Sequence, residues 1–87
     1  MHSPRTVLIF GISGQDGAYL AHKLLGQGYI VHGTSRDREM SSFENLKRLG
    51  IHGRVGLHSV AVTDFRSVIQ VLADLQPDRL VRIDAFE

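Results

Sequence analysis

The order of elements around three closely spaced glycines constrains this chain more than any other feature. Thr6-Val-Leu-Ile-Phe10 is an apolar, β-branched run that reads as a strand. Gly11-Ile12-Ser13-Gly14-Gln15-Asp16-Gly17 follows it directly and opens an amphipathic helical stretch. A strand that turns through glycine into a helix is the arrangement a dinucleotide phosphate requires. Gly11 lets the chain leave the strand sharply, and Gly14 keeps a Cβ out of the path of an approaching pyrophosphate. Gly17 allows the helix to lie close against the strand. The first helical turn leaves N–H groups unsatisfied, and the macrodipole adds partial positive charge there, so an anion is favoured at that end.

The remainder of the chain repeats the alternation. Ala18, Ala21, Leu24, Leu25 and Gly28 fall on one face of a helix from about Asp16 to Leu25, which Gly26 and Gly28 stop. Tyr29-Ile-Val-His-Gly33 reads as a second strand. Ser41-Ser-Phe-Glu44 carries a capping-box pattern ahead of a short helix with Phe43, Leu46 and Leu49 as its apolar residues. A third strand is expected at about Arg54 to Ser59. Thr63 or Asp64 caps the next helix, whose buried stripe is Phe65, Val68, Ile69, Leu72 and Leu75, and Gln76-Pro77-Asp78 ends it. Leu80-Val-Arg-Ile83 is the last strand. The order β-α-β-α-β-α-β with right-handed crossovers implies an α/β fold, a half-size Rossmann-like, doubly wound parallel sheet. Its strand order is 3-2-1-4, with the nucleotide site at the carboxyl ends of the strands.

Size and composition exclude several functions. At 87 residues the chain makes one small domain, shorter than a doubly wound fold with both mononucleotide-binding halves. A hydrophobic share of 43%, a charged share of 22% and a net charge of +1 argue against disorder and against an electrostatic nucleic-acid footprint. No stretch reaches membrane-spanning length, and Met1-His-Ser-Pro-Arg5 leads into the first strand without an apolar signal segment, so a cytoplasmic location is expected. The absence of cysteine removes disulfides and thiolate metal sites. His2, His22, His32, His52 and His58 show no metal-ligand spacing, so no metal is expected.

The glycine spacing is G-x-x-G-x-x-G, the form seen in extended short-chain dehydrogenase/reductase-like proteins. Gly11 to Leu20, Gly28-Tyr-Ile-Val-His-Gly33, Arg36, Ser41-Ser-Phe43, Leu57-His58, Thr63-Asp64 and Gln76-Pro-Asp78 together resemble the N-terminal part of the GDP-mannose 4,6-dehydratase family. The similarity runs to about Arg79. It implies an NADP-dependent lyase that oxidises a sugar nucleotide at C4, eliminates water across C5 and C6, and returns the hydride to C6. It also implies that the family's catalytic Tyr-x-x-x-Lys, its Ser/Thr and Glu partners and its sugar-nucleotide domain lie beyond the last strand. The expectation is therefore a single truncated NADP-binding domain over residues 1–87, catalytically inactive alone. Two alternatives stand beside it: an interaction module that binds no nucleotide, and a fragment of an active enzyme.

The same resemblance assigns the site. Gly11, Ile12, Ser13, Gly14, Gln15, Asp16 and Gly17 are assigned to cofactor binding; among them Ser13, Gln15 and Asp16 match positions where the family contacts the pyrophosphate and nearby ribose, mostly through backbone groups, and Asp16 also suits a helix N-terminus by charge alone. Arg36, just past the second strand, stands where an arginine marks the 2′-phosphate of NADP, although Arg36 and Arg38 also flank Asp37 in a charged loop. Ala61 and Val62 occupy the adenine position after the third strand. Alanine cannot accept the adenine amino proton, which leaves that contact to backbone or water. Tyr19 and Lys23 satisfy the Tyr-x-x-x-Lys spacing, but on the first helix they read as helix-packing residues. The final strand, Leu80 to Ile83, is expected to be an open edge that pairs two copies of the chain into a homodimer.

Overall fold

A computed structural model describes residues 4–36, 43–61 and 63–82. Its elements are β1 (Thr6–Phe10), α1 (Gln15–Gly26), β2 (Ile30–Ser35), α2 (Glu44–Arg48), a 3₁₀ turn (His52–Arg54), β3 (Gly56–Ser59), α3 (Phe65–Leu75) and β4 (Arg79–Arg82). The four strands form one parallel sheet in the order β3-β2-β1-β4, the order expected from the sequence. The strand order reverses at β1, so the turn that follows β1 opens at the switch point of the sheet.

Alternation along β1 divides the core between two faces. Val7 and Ile9, with Val31 of β2, pack under Ala18 and Ala21 of α1 and Leu46 of α2, joined by Phe43, Ile51 and Val55. Leu8 points the other way and packs with Val60 and with Val71 of α3, flanked by Phe10, Val68, Leu72 and Leu75. Asp78 ties the entry of β4 to the start of β1: its carboxylate accepts from the Thr6 N–H at 2.7 Å and its own N–H donates to the Thr6 carbonyl at 2.8 Å.

Several boundaries differ from the sequence expectation, each for a physical reason. β2 runs two residues past Gly33, to Ser35, because its register with β1 and β3 continues through Thr34 and Ser35. α1 includes Gly26, and Gly28 is exposed rather than part of the packed face. β3 begins at Gly56 because residues 52–54 wind into the 3₁₀ turn. β4 begins at Arg79; Ile83 lies outside the described residues, as do Ser41 and Ser42.

The capping-box expectation for α2 does not hold. The helix starts at Glu44 behind Phe43, which adopts left-handed dihedrals (φ 52°) and offers no side-chain cap. Burial of the Phe43 ring, 5.8 Å from the His52 ring, outweighs the roughly 1–2 kcal/mol that such a conformation costs. At α3 the choice between Thr63 and Asp64 falls to Asp64, whose carboxylate accepts from the Arg66 N–H (3.1 Å) and the Ser67 hydroxyl (2.8 Å). The Ser67 bond holds that carboxyl below its usual range. The stripe expected on α3 is only partly covered. Phe65 is 77% exposed and Ile69 49% exposed, because among the described residues no second helix packs beside α3 on its face of the sheet.

Candidate functional site

The turn after β1 is held from below by β2. Gly11 has φ 87°, a conformation that glycine alone adopts without strain, and its N–H donates to the Thr34 carbonyl at 3.1 Å. The Ile12 N–H donates to the same oxygen at 3.0 Å, and the Ile12 side chain is fully buried against Gly33, where a Cβ would collide with it. A Cβ on Gly17 would lie 2.7 Å from the Gly11 carbonyl oxygen and 2.8 Å from the Ile12 Cα. Gly11, Ile12 and Gly17 thus form the floor of the turn, and helix and strand approach as closely as the sequence implies.

Ser13, Gly14, Gln15 and Asp16 stand above that floor and line one cleft of about 420 Å³ together with Asn45. Gly14 is the N-cap of α1, with ordinary extended dihedrals (φ −75°, ψ 170°). The Ala18 N–H is taken by the Gly14 carbonyl at 3.0 Å. The preceding amides of the first turn, those of Gln15, Asp16 and Gly17, have no helix carbonyl to donate to. The cleft therefore offers unsatisfied donors and the positive end of a helix, the chemistry of an anion site.

The other expected site residues lie along the same edge of the sheet. Arg36 follows β2, is exposed, and accepts from the Ser59 hydroxyl at 3.3 Å through its carbonyl. Ala61 follows β3, half-buried, and its carbonyl accepts the Asp64 N–H at 2.9 Å. Both residues are at carboxyl ends of strands, as β1 is at the glycine turn, but neither lines the cleft of the turn. Val62 lies outside the described residues. Tyr19 is 56% exposed rather than packed. It sits in the crevice between α1 and α2 with Gln15, Asn45 and Arg48.

The chain is similar to known proteins in sequence and in fold. A family model described as GDP-mannose 4,6 dehydratase matches residues 8–87. The chain belongs to the GDP-mannose 4,6-dehydratase family. The GDP-mannose 4,6-dehydratase of Sinorhizobium fredii is 36% identical over 98% of this chain, which covers 26% of that protein. The human GDP-mannose 4,6 dehydratase is 35% identical over 98% of this chain, covering 25% of that protein. Among solved structures, the Bordetella bronchiseptica enzyme WbmH, in complex with NAD+, superposes with a TM-score of 0.77 at 32% identity, over 98% of this chain and 27% of that one. The chain thus spans about a quarter of the length of the family members it matches. No helix among the described residues is long and apolar enough to cross a membrane, and no group of three or more potential ligand side chains among them is placed to hold a metal ion.

Two residues at the site escape sequence reasoning. Thr34 contributes only a carbonyl, which no side-chain pattern reveals. Asn45 is the more legible: asparagine is a poor interior helix residue, and its presence inside a five-residue helix asks for a side-chain role. That role is a hydrogen bond from Nδ2 to the Ser13 carbonyl at 3.2 Å.

Proposed function

We propose that these residues form the NADP-binding part of a GDP-mannose 4,6-dehydratase, with the pyrophosphate in the cleft at the N-terminus of α1. The observation that carries the reading is the cleft itself: Ser13, Gly14, Gln15 and Asp16 line it at the switch point of a parallel sheet, on a floor built by Gly11, Ile12 and Gly17. The bound NAD+ named for the similar WbmH structure supports a dinucleotide. Preference for NADP rests on Arg36, an exposed guanidinium just past β2 with the fork geometry that suits a 2′-phosphate. Ala61, just after β3, is assigned with Val62 to the adenine end on the sequence correspondence alone. The 87 residues taken alone are catalytically silent: their single Tyr-x-x-x-Lys spacing, Tyr19 and Lys23, lies on α1, with Tyr19 in the crevice toward α2.

Calorimetric titration tests the site and the cofactor together. Wild type should bind NADP+ with a dissociation constant of roughly 10 to 100 μM, or about 5.5 to 7 kcal/mol. Gly14→Val places a branched side chain where the pyrophosphate approaches, at dihedrals valine tolerates, so binding disappears while the fold persists. Equal affinity in the two proteins overturns the reading. Arg36→Ala should weaken NADP+ relative to NAD+ by about 1 to 3 kcal/mol, as for a hydrogen bond to a charged group. Wild type that binds both cofactors equally refutes the NADP assignment.

A second reading, self-association of two copies, is favoured by β4. It pairs with β1 on one side, stands at the edge of the sheet, and carries Leu80 at 56% exposure.

A further inference from the structure

The glycine turn is restrained by backbone at both ends and by a side chain in the middle. At its start, Gly11 and Ile12 donate to the Thr34 carbonyl; at its end, Ala18 donates to the Gly14 carbonyl. Between them, the Ser13 carbonyl accepts from Nδ2 of Asn45. Asn45 is carried on α2, which is rooted in the core by fully buried Leu46 and by Phe43. It is half-buried, and it lines the same cleft as the turn.

A peptide unit is planar and trans, so its carbonyl and the next N–H point in opposite directions. Holding the Ser13 oxygen toward α2 therefore fixes the direction of the Gly14 N–H. Without such a hold this peptide turns over easily, because Gly14 has no Cβ to oppose the change in its φ. The turned-over state would alter the donor pattern of the cleft and release a carbonyl dipole from α2 toward an anion. We propose that Asn45 is a positioning residue for the pyrophosphate site: it locks the Ser13–Gly14 peptide in the orientation that leaves the cleft lined by donors. The inference rests on the pyrophosphate reading given above, but the lock itself exists without a ligand.

Two variants separate positioning from packing. Asn45→Leu keeps the branched heavy-atom skeleton and removes the donor without adding charge. Affinity for NADP+ or ADP should fall about tenfold, the factor that one net hydrogen bond represents. The Gly14 amide resonance in a ¹⁵N-labelled, ligand-free sample should shift and its hydrogen exchange accelerate. Asn45→Asp keeps the shape and reverses the polarity. Its loss should be larger near pH 7 and should diminish as the pH falls toward about 3.9, the ordinary aspartate value, where the carboxyl takes up a proton and donates to the Ser13 oxygen again. A packing role predicts no pH-dependent recovery beyond that of wild type and no shift at Gly14. If wild type binds neither NADP+ nor ADP, the pyrophosphate reading fails, and the Gly14 resonance alone decides the lock. An Asn45→Leu protein with wild-type affinity, or with the wild-type Gly14 amide, overturns the proposal.

Discussion

The two faces of the sheet differ both in what the strands present and in how they are covered. On one face, Val7, Ile9 and Val31 disappear beneath α1 and α2 with Ala18, Ala21, Phe43 and Leu46. On the other, Leu8, Val60 and Val71 are the buried centre, while Phe65 and Ile69 of α3 and Leu80 of β4 face outward. Helix placement explains the contrast. Among the described residues, α1 and α2 pack on the first face, whereas α3 packs on the second. The candidate site sits over the first face, where a rigid floor is available to hold the turn. Close packing and site geometry are one device there: the buried Ile12 side chain and the two amides on Thr34 fix the strand end from which the cleft is built.

The largest expected effect tests that rigidity. Gly17→Val introduces a Cβ within 2.8 Å of the Ile12 backbone, and neither that Cα nor the Gly11 oxygen at 2.7 Å can swing aside as a side chain would. The helix must move off the strand, at a cost of about 3 kcal/mol. Urea unfolding followed by circular dichroism measures it. A midpoint equal to that of wild type would mean that the contact between α1 and the turn is loose, and the distinction between the two faces would lose its basis.

What could be read from the sequence divides along the same line. The strand order, the helix positions and the glycine turn follow from local periodicity and from crossover handedness, which depend on near neighbours in the chain. Phe65 and Ile69 show where that reasoning stops. They fall on the apolar stripe of α3 at correct helical spacing, yet periodicity records which residues are apolar and not whether a second element arrives to cover them. Phe43 shows the opposite error. The Ser41–Glu44 pattern satisfies a local capping rule, and the tertiary burial of the Phe43 ring moves the helix start to Glu44. At the site, the residues of the turn were legible because they are contiguous. Thr34 and Asn45 reach it from other elements, and their contribution depends on the folded register.

A middle-sized effect comes from the sparsely covered face. His32 is in register with Leu8 and Gly56, and its Nδ1 lies 3.0 Å from Nε2 of His58. A Cβ at position 56 would collide with the His32 ring, so glycine there makes room for the pair. Burial, and secondarily the charge of His58, lower the His32 pKa from its ordinary value. The folded protein then binds the His32 proton less readily than the unfolded chain does. The stabilising contribution is complete above about pH 6.5 and is lost as the pH falls through the lowered value of the folded state. Urea midpoints should fall between about pH 7.5 and pH 5.5, and His32→Gln should flatten that dependence. An unchanged slope in His32→Gln would assign the acid sensitivity to other groups and remove His32 from the account of this face.

The smallest effect is the most discriminating for what covers the second face. In an isolated monomer Phe65 makes few contacts, and Phe65→Ser should change stability by no more than about 0.5 kcal/mol. If two copies pair through β4, the exposed edge and Leu80 are buried in the dimer, and the Leu80 contribution becomes dependent on protein concentration. Sedimentation equilibrium decides the matter: at about 100 μM chain, a dissociation constant of 1 μM or below gives mostly dimer, and Leu80→Lys should return it to monomer. A chain that stays monomeric at that concentration eliminates the self-association reading and leaves the second face uncovered by a second copy.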